Sequence, residues 1–237
     1  QVDQWKIYPT LITDHTKIKE WYDDGLYKPY SEWKNGALLM AVIIYAKQRV
    51  KPYIRINRVV RDIPIHEIRA GYANLTLRNE IFKKMAEMGT FCNCIRCLEV
   101  KHEFSDSILK IRKYECAQGT EYFISYETNN KYITDRAQLI GFCRLRINHM
   151  PAYALPYLAS KALIRELHVY GAHLPVNADP EHHVTGKTAQ HKKFGIKLLE
   201  QAEGVAAAHK LNQIVVISGV GVKEYYRRRG YRDYHTY

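Results

Sequence analysis

The chain has 237 residues, enough for one large domain or two modest ones with a real hydrophobic core, so disorder is not its dominant state. Its 36 lysines and arginines outweigh 24 acidic residues, and a formal charge of +12 points to polyanions: RNA, DNA or an anionic membrane surface. Mean hydropathy is −0.39 and the longest apolar stretch, 37–46, is too short to span a bilayer, which excludes a transmembrane helix; no membrane partner is expected.

The chain opens on Gln1 with no signal-like pattern, so the start reads as a cut inside a longer protein. Helical periods are predicted over 16–21, 37–47 and 76–88, with a strand over 53–59 on the alternation of Ile54 and Ile56 with basic flanks. From about residue 121 the texture changes to tight strand and helix alternation. Strands are predicted over 122–126 and 139–147 as an antiparallel pair, then 162–170. A long helix over 190–210 carries Leu198, Leu199, Ala202, Val205 and Ala206 on one stripe. A strand over 213–218, a helix over 222–229 stopped at Gly230 and a last strand over 231–236 complete the pattern.

Five cysteines fit a disulfide framework poorly, and three of them crowd into Cys92-Asn-Cys94-Ile-Arg-Cys97. A tight turn can aim three thiolates so spaced at one tetrahedral zinc. Cys116 is the best fourth ligand on sequence distance, with Cys143 and His102 as alternatives. The compartment expected is reducing, cytoplasm or nucleus, and the zinc structural.

Basic residues interleave with aromatics along Lys47, Arg49, Lys51, Arg55, Arg58, Arg61, Arg69 and Arg78, and Arg112, Lys113 and the run Arg227 to Arg229 extend them. Such spacing serves either a solvated face or a surface that follows successive RNA phosphates, and the overall charge favours RNA. At 190–195 the sequence Gln190-His191-Lys192-Lys193-Phe194-Gly195 opens the long helix after a strand. Unsatisfied N–H groups and the dipole at such a helix start attract a pyrophosphate.

Arg165-Glu166-Leu167-His168-Val169-Tyr170-Gly171, then Gln190-His191 to Gly195, Val216-Ile217-Ser218-Gly219-Val220-Gly221 and Tyr225-Tyr226-Arg227-Arg228-Arg229-Gly230-Tyr231 follow one another in the chain. In that order they closely resemble the acetyltransferase domain of the Elongator catalytic subunit family, a branch of the GCN5-related N-acetyltransferases. Upstream, Asp3 to Thr10, Arg58 to Pro64 and Cys97 to Val100 resemble the same family, so the likeness covers essentially the whole chain.

The resemblance implies an α/β (α+β) fold in three parts: the end of a radical-SAM domain with a tRNA-binding basic surface over 1–88, a zinc-binding linker over 89–115, and a GCN5-related acetyltransferase domain over 116–237. It implies tRNA and acetyl-CoA as ligands, 5-carboxymethyluridine at the wobble position as product, and other Elongator subunits as partners. S-adenosylmethionine and a 4Fe-4S cluster belong to the full-length family member. The family's cluster cysteines precede this chain, and Cys92, Cys94 and Cys97 differ from them in place and spacing, so radical chemistry is not expected of the chain as given.

Within the family's pyrophosphate pattern Gln190 and Gly195 match, whereas Lys193 stands where the first glycine belongs. Its side chain either obstructs the cofactor or sets an ammonium beside a phosphate. Backbone donors are expected from His191, Lys192, Lys193, Phe194, Gly195 and Ile196, and Ser218 and Tyr226 join the cofactor-binding set. Tyr226 stands where related enzymes protonate the departing thiolate, with Tyr225 beside it; both also suit packing on an amphipathic helix. Glu166 is either a general base or a structural hydrogen-bond acceptor. Rival readings are a protein lysine acetyltransferase, which the basic charge disfavours, and an RNA-binding scaffold whose cofactor loop Lys193 has spoiled.

Overall fold

A computed structural model describes residues 2–101, 104, 106–129, 136–149, 158, 161–171 and 193–234. It is a mixed α/β structure of two compact units, Val2–Leu98 and Glu99–Tyr237. The division falls inside the stretch 89–115: its cysteines belong to the first unit, and from Ser107 onward it forms a strand of the second.

In the first unit, β1 (Gln4–Lys6) lies parallel to β3 (Arg55–Arg58), and β2 (Leu11–Thr13) lies antiparallel to β4 (Ile68–Gly71). Around them run α1 (Lys17–Asp23), α2 (Ala37–Arg49), α3 (Leu77–Glu87) and the single turn α4 (Ile95–Leu98). The start of α3 is fixed locally, because the Thr76 N–H and hydroxyl both donate to Asn74 Oδ1 at 2.8 and 2.7 Å. Leu77, Ile81 and Met85 then recur every fourth residue and bury one stripe. Helix α2 buries Leu39, Ile43, Ile44 and Lys47, and ends where Val50 turns extended two residues before Pro52.

The second unit is a five-stranded sheet in the order β5 (Ser107–Cys116), β6 (Gly119–Thr128), β7 (Leu139–Asn148), β8 (Ala162–Val169), β9 (Ile214–Val216). The first three junctions are antiparallel and the last is parallel. Helix α5 (Phe194–Ala208) lays Leu198, Leu199, Ala202 and Ala206 against Tyr122, Ile124, Cys143, Leu145 and Ile164. Each fully buried leucine there contributes about 2 kcal/mol. Strand β8 pairs with β9 only through Ala162, Leu163 and Ile164 and then continues to Val169, so the two edges part company halfway along β8. The short α6 (Lys223–Arg227) follows.

The predicted helices correspond to α1, α2, α3, α5 and α6, and the predicted pair at 122–126 and 139–147 to β6 and β7. Three expectations change. Residues 231–234 form no strand, and 235–237 lie outside the described residues. Helix α5 starts at Phe194, with Gln190, His191 and Lys192 outside the described residues. The ten-residue β5 had no counterpart among the predicted elements; its alternation is inverted at the sheet edge, Leu109 and Ile111 being exposed while Arg112 turns in to Glu127 and Ser125.

Candidate functional site

The clearest chemical cluster lies in the first unit. The Sγ atoms of Cys92, Cys94 and Cys97 all lie within 4.8 Å of one another, with 3.4 Å between Cys94 and Cys97. Sulfurs on a tetrahedron with bonds of about 2.3 Å stand roughly 3.8 Å apart, so the donor set fits a divalent soft metal. The turn is tied down by Cys97 and Leu98 N–H groups donating to the Cys94 carbonyl and by Ile95 N–H donating to Ile54. Backbone N–H groups of Ile56 and Cys97 also reach the Cys94 sulfur. Hydrogen bonds from Cys92 and Cys97 pull the Cys94 thiol down to about 2, while the same contacts push Cys97 well above the ordinary thiol range.

Of the expected fourth ligands, Cys116 belongs to the second unit, where its Sγ lies 3.1 Å from both Arg146 Nη1 and the Gly119 carbonyl. Cys143 is packed in the core under α5, and burial pushes its thiol up to about 12. His102 lies outside the described residues.

At the start of α5, Lys193 takes a left-handed conformation, φ 57° and ψ 28°. Gly195 is needed for space: a Cβ there would collide with the Tyr225 hydroxyl, which therefore rests against the first turn of α5. Arg229 stacks 3.5 Å from the centre of the Tyr225 ring, and its Nη1 donates to the Tyr225 carbonyl. Burial raises the Tyr225 phenol, with the Arg229 charge opposing, and raises the Tyr226 phenol to about 12. Tyr226 is buried in the α5 core and meets Tyr225 edge-on. Ser218 and Tyr226 share a cavity of about 650 Å³ with Leu163, Val216, Arg229 and Tyr231. The first turn of α5 is not part of its lining.

Glu166 sits on β8 with Oε2 accepting from Arg144 Nε at 2.9 Å. Arg144 is 1% exposed, lies 5.2 and 5.4 Å from the ring centres of the stacked pair Phe123 and Phe142, and also donates to Tyr114. A carboxylate so held is charge-compensated, which favours the structural role for Glu166 over that of a free base.

The predicted RNA-binding residues separate sharply. Arg58 pairs with Asp62, Arg69 forks onto Asp14, and Arg112 donates to Glu127 and Ser125. Arg78 is turned inward, its Nη2 held by the carbonyls of Ile56 and Asn57 at 3.1 Å each. Arg55 is half-buried on β3. Lys51 and Arg61 are exposed and form no ion pair among the described residues. Arg227 and Arg228 are engaged with Asp233 and Glu224.

Comparison with known proteins decides the relationship. Residues 2–87 match the Radical_SAM C-terminal domain family. Over 99% of its length the chain is 36% identical to a tRNA uridine(34) acetyltransferase of Methanocaldococcus jannaschii, covering 43% of that protein. It is related to the tRNA uridine(34) acetyltransferases. The counterpart from Dehalococcoides mccartyi is 36% identical over 97% of the chain and 48% of its own length. Elongator complex protein 3 of Saccharomyces cerevisiae is 36% identical over 98% of the chain and 41% of its own length. The solved structure of Methanocaldococcus infernus Elp3 lacking residues 1–46 superposes with a TM-score of 0.79 at 33% identity, covering 98% of this chain and 54% of that one. The chain thus spans less than half the length of these curated relatives of the acetyltransferase type.

Two residues that contribute to these sites escape a reading by composition. Lys47, part of the predicted basic row, is fully buried beside Cys97. Its signal is positional, since it falls four residues after Ile43 on the buried stripe of α2. Arg144 has the same character on β7, facing Glu166 across the sheet.

Proposed function

We propose that this chain forms the tRNA- and acetyl-CoA-handling part of a tRNA uridine(34) acetyltransferase, serving formation of 5-carboxymethyluridine at the wobble position. In this reading the second unit has the GCN5-related N-acetyltransferase fold. One observation carries it: a single likeness to a protein of that name runs through 99% of the chain. A protein lysine acetyltransferase has no reason to share the first unit.

The geometry supplies suitable chemistry. Beyond Ile164 the edge of β8 is not paired with β9, so its backbone groups can take an extended amide-bearing arm as an added strand. The first N–H groups of the 15-residue α5 suit a pyrophosphate. Gly195 gives the Tyr225 hydroxyl room beside that turn. Bound acetyl-CoA supplies an activated acetyl thioester. Tyr226, kept protonated by burial, would supply the proton to the CoA thiolate released as the acetyl carbon bonds to its acceptor, water or the uridine. Lys51 and Arg61 offer cations for RNA phosphates. Cys92, Cys94 and Cys97 hold a structural zinc that fixes the turn leading from α3 into α4.

Titration calorimetry with acetyl-CoA and measurement of tRNA-stimulated acetyl-CoA hydrolysis test the reading. Tyr226→Phe should lower turnover by roughly 10²-fold and leave cofactor affinity near wild type. Absence of acetyl-CoA binding by the wild-type chain refutes the proposal and favours an RNA-binding scaffold.

A further inference from the structure

Lys47 is 0% exposed, yet no carboxylate pairs with it among the described residues. Its Nζ lies 3.8 Å from Cys97 Sγ and 4.9 Å from the centre of the Phe82 ring. Burying an amine on the core stripe of a helix is costly unless a specific acceptor or opposite charge awaits it. The acceptor it reaches is a sulfur of the three-cysteine cluster. Arg78 is also brought inward: Nη2 is satisfied by two carbonyls, whereas Nη1 is buried without a partner and the guanidinium lies within Coulombic reach of all three cysteines. Two cationic side chains thus converge on a site whose own donors are anionic when they bind metal.

Charge and hydrogen bonding give this arrangement a meaning. Three thiolates overbalance a divalent ion by one negative charge, and excess charge on a buried metal–thiolate site is destabilising unless it is offset nearby. The sulfurs are also served differently. Cys94 receives backbone N–H groups from Ile56 and Cys97. Cys97 is the most exposed of the three, Cys92 and Cys94 being 1% and 0% exposed, and it receives the side-chain donor of Lys47. An N–H directed at a metal-bound thiolate draws electron density from the sulfur, which strengthens the site and blunts its reactivity toward electrophiles.

We infer that Lys47 is a positioning residue of the metal centre. It donates an N–H to the Cys97 thiolate and, together with Arg78, offsets the negative charge of a three-thiolate site, protecting the sulfur nearest solvent. The inference rests on the zinc reading above. It makes the buried lysine part of the metal site's outer sphere and removes it from the RNA surface.

The test uses the full chain, zinc competition against a chromophoric chelator, the absorption spectrum of the cobalt(II)-substituted protein, and the rate at which iodoacetamide alkylates Cys97 in the zinc-loaded protein. Lys47→Met keeps the length and apolar stem, so the helix should still pack. It should weaken zinc binding by about 10-fold, move the cobalt–thiolate charge-transfer band to lower energy and speed alkylation of Cys97, with Lys47→Arg recovering part of each change. A wild-type chain that binds neither zinc nor cobalt overturns the metal reading itself. Wild-type binding matched by Lys47→Met in affinity, spectrum and alkylation rate overturns the role of Lys47 alone. Weaker zinc binding with an unmoved cobalt band and unchanged alkylation also overturns it, since a loss of packing would give that pattern.

Discussion

Lys193 is held at φ 57° immediately before α5, a conformation in which a side chain crowds its own backbone and glycine does not. Lys193→Gly should therefore raise unfolding free energy by about 0.5 kcal/mol, the strain relieved exceeding the extra freedom of the unfolded chain. Denaturant titration reads that change. If the side chain obstructs the pyrophosphate, the same variant should also bind acetyl-CoA more tightly; weaker and less salt-sensitive binding would assign the ammonium to the phosphates instead.

Helix α5 and the sheet beneath it invite tests that depend on pairs of residues. A methyl group on Gly195 meets the Tyr225 hydroxyl, while Tyr225 Cζ stands at an ordinary 3.5 Å. Gly195→Ala should thus destabilise the wild-type background yet be nearly neutral or slightly favourable in a Tyr225→Phe background, a coupling of about 1 kcal/mol in a double-mutant cycle. Additive effects would show that the two elements do not meet as described. On the opposite side of the sheet, burial pushes the Glu127 carboxyl up, but Arg112 and Lys110 outweigh it and hold the group below its usual value. A carboxyl depressed by folding stabilises above the unfolded value and loses that contribution as pH falls toward the folded one. Arg112→Ala should cost about 1–3 kcal/mol at neutral pH. The gap from wild type should narrow as pH drops below about 4.3, and melting curves across that range check it.

At the scale of the whole chain, most of the arginines proposed to meet RNA are engaged with partners inside the protein, whereas Lys51 and Arg61 form no ion pair among the described residues. Changing Lys51 and Arg61 together to Ala should lower tRNA affinity about equally for all sequences and reduce the slope of log affinity against log salt by roughly 2 on duplex-like regions. Arg112→Ala, whose guanidinium is already committed to Glu127, should leave that slope unchanged. Filter binding over a salt series distinguishes the two. A loss of slope on changing Arg112 would move the RNA surface to the second unit.

Periodicity in the sequence sufficed for α2, α3, α5 and the β6–β7 pair, because each carries a buried stripe or alternation that local chain geometry alone converts into an element. The thiol cluster was legible for a similar reason: three ligands within six positions need only one turn to meet. The edge strand β5 was hidden, since its identity comes from pairing with β6 rather than from its own residues. The charged residues were hidden too. The sequence shows Arg58 and Arg69 as cations but not that Asp62 and Asp14 face them, and Lys47 reads as surface until helix α2 turns it inward. Charge is written in the sequence, but whether a cation meets solvent, a carboxylate or a thiolate depends on neighbours that the fold brings from distant positions in the chain.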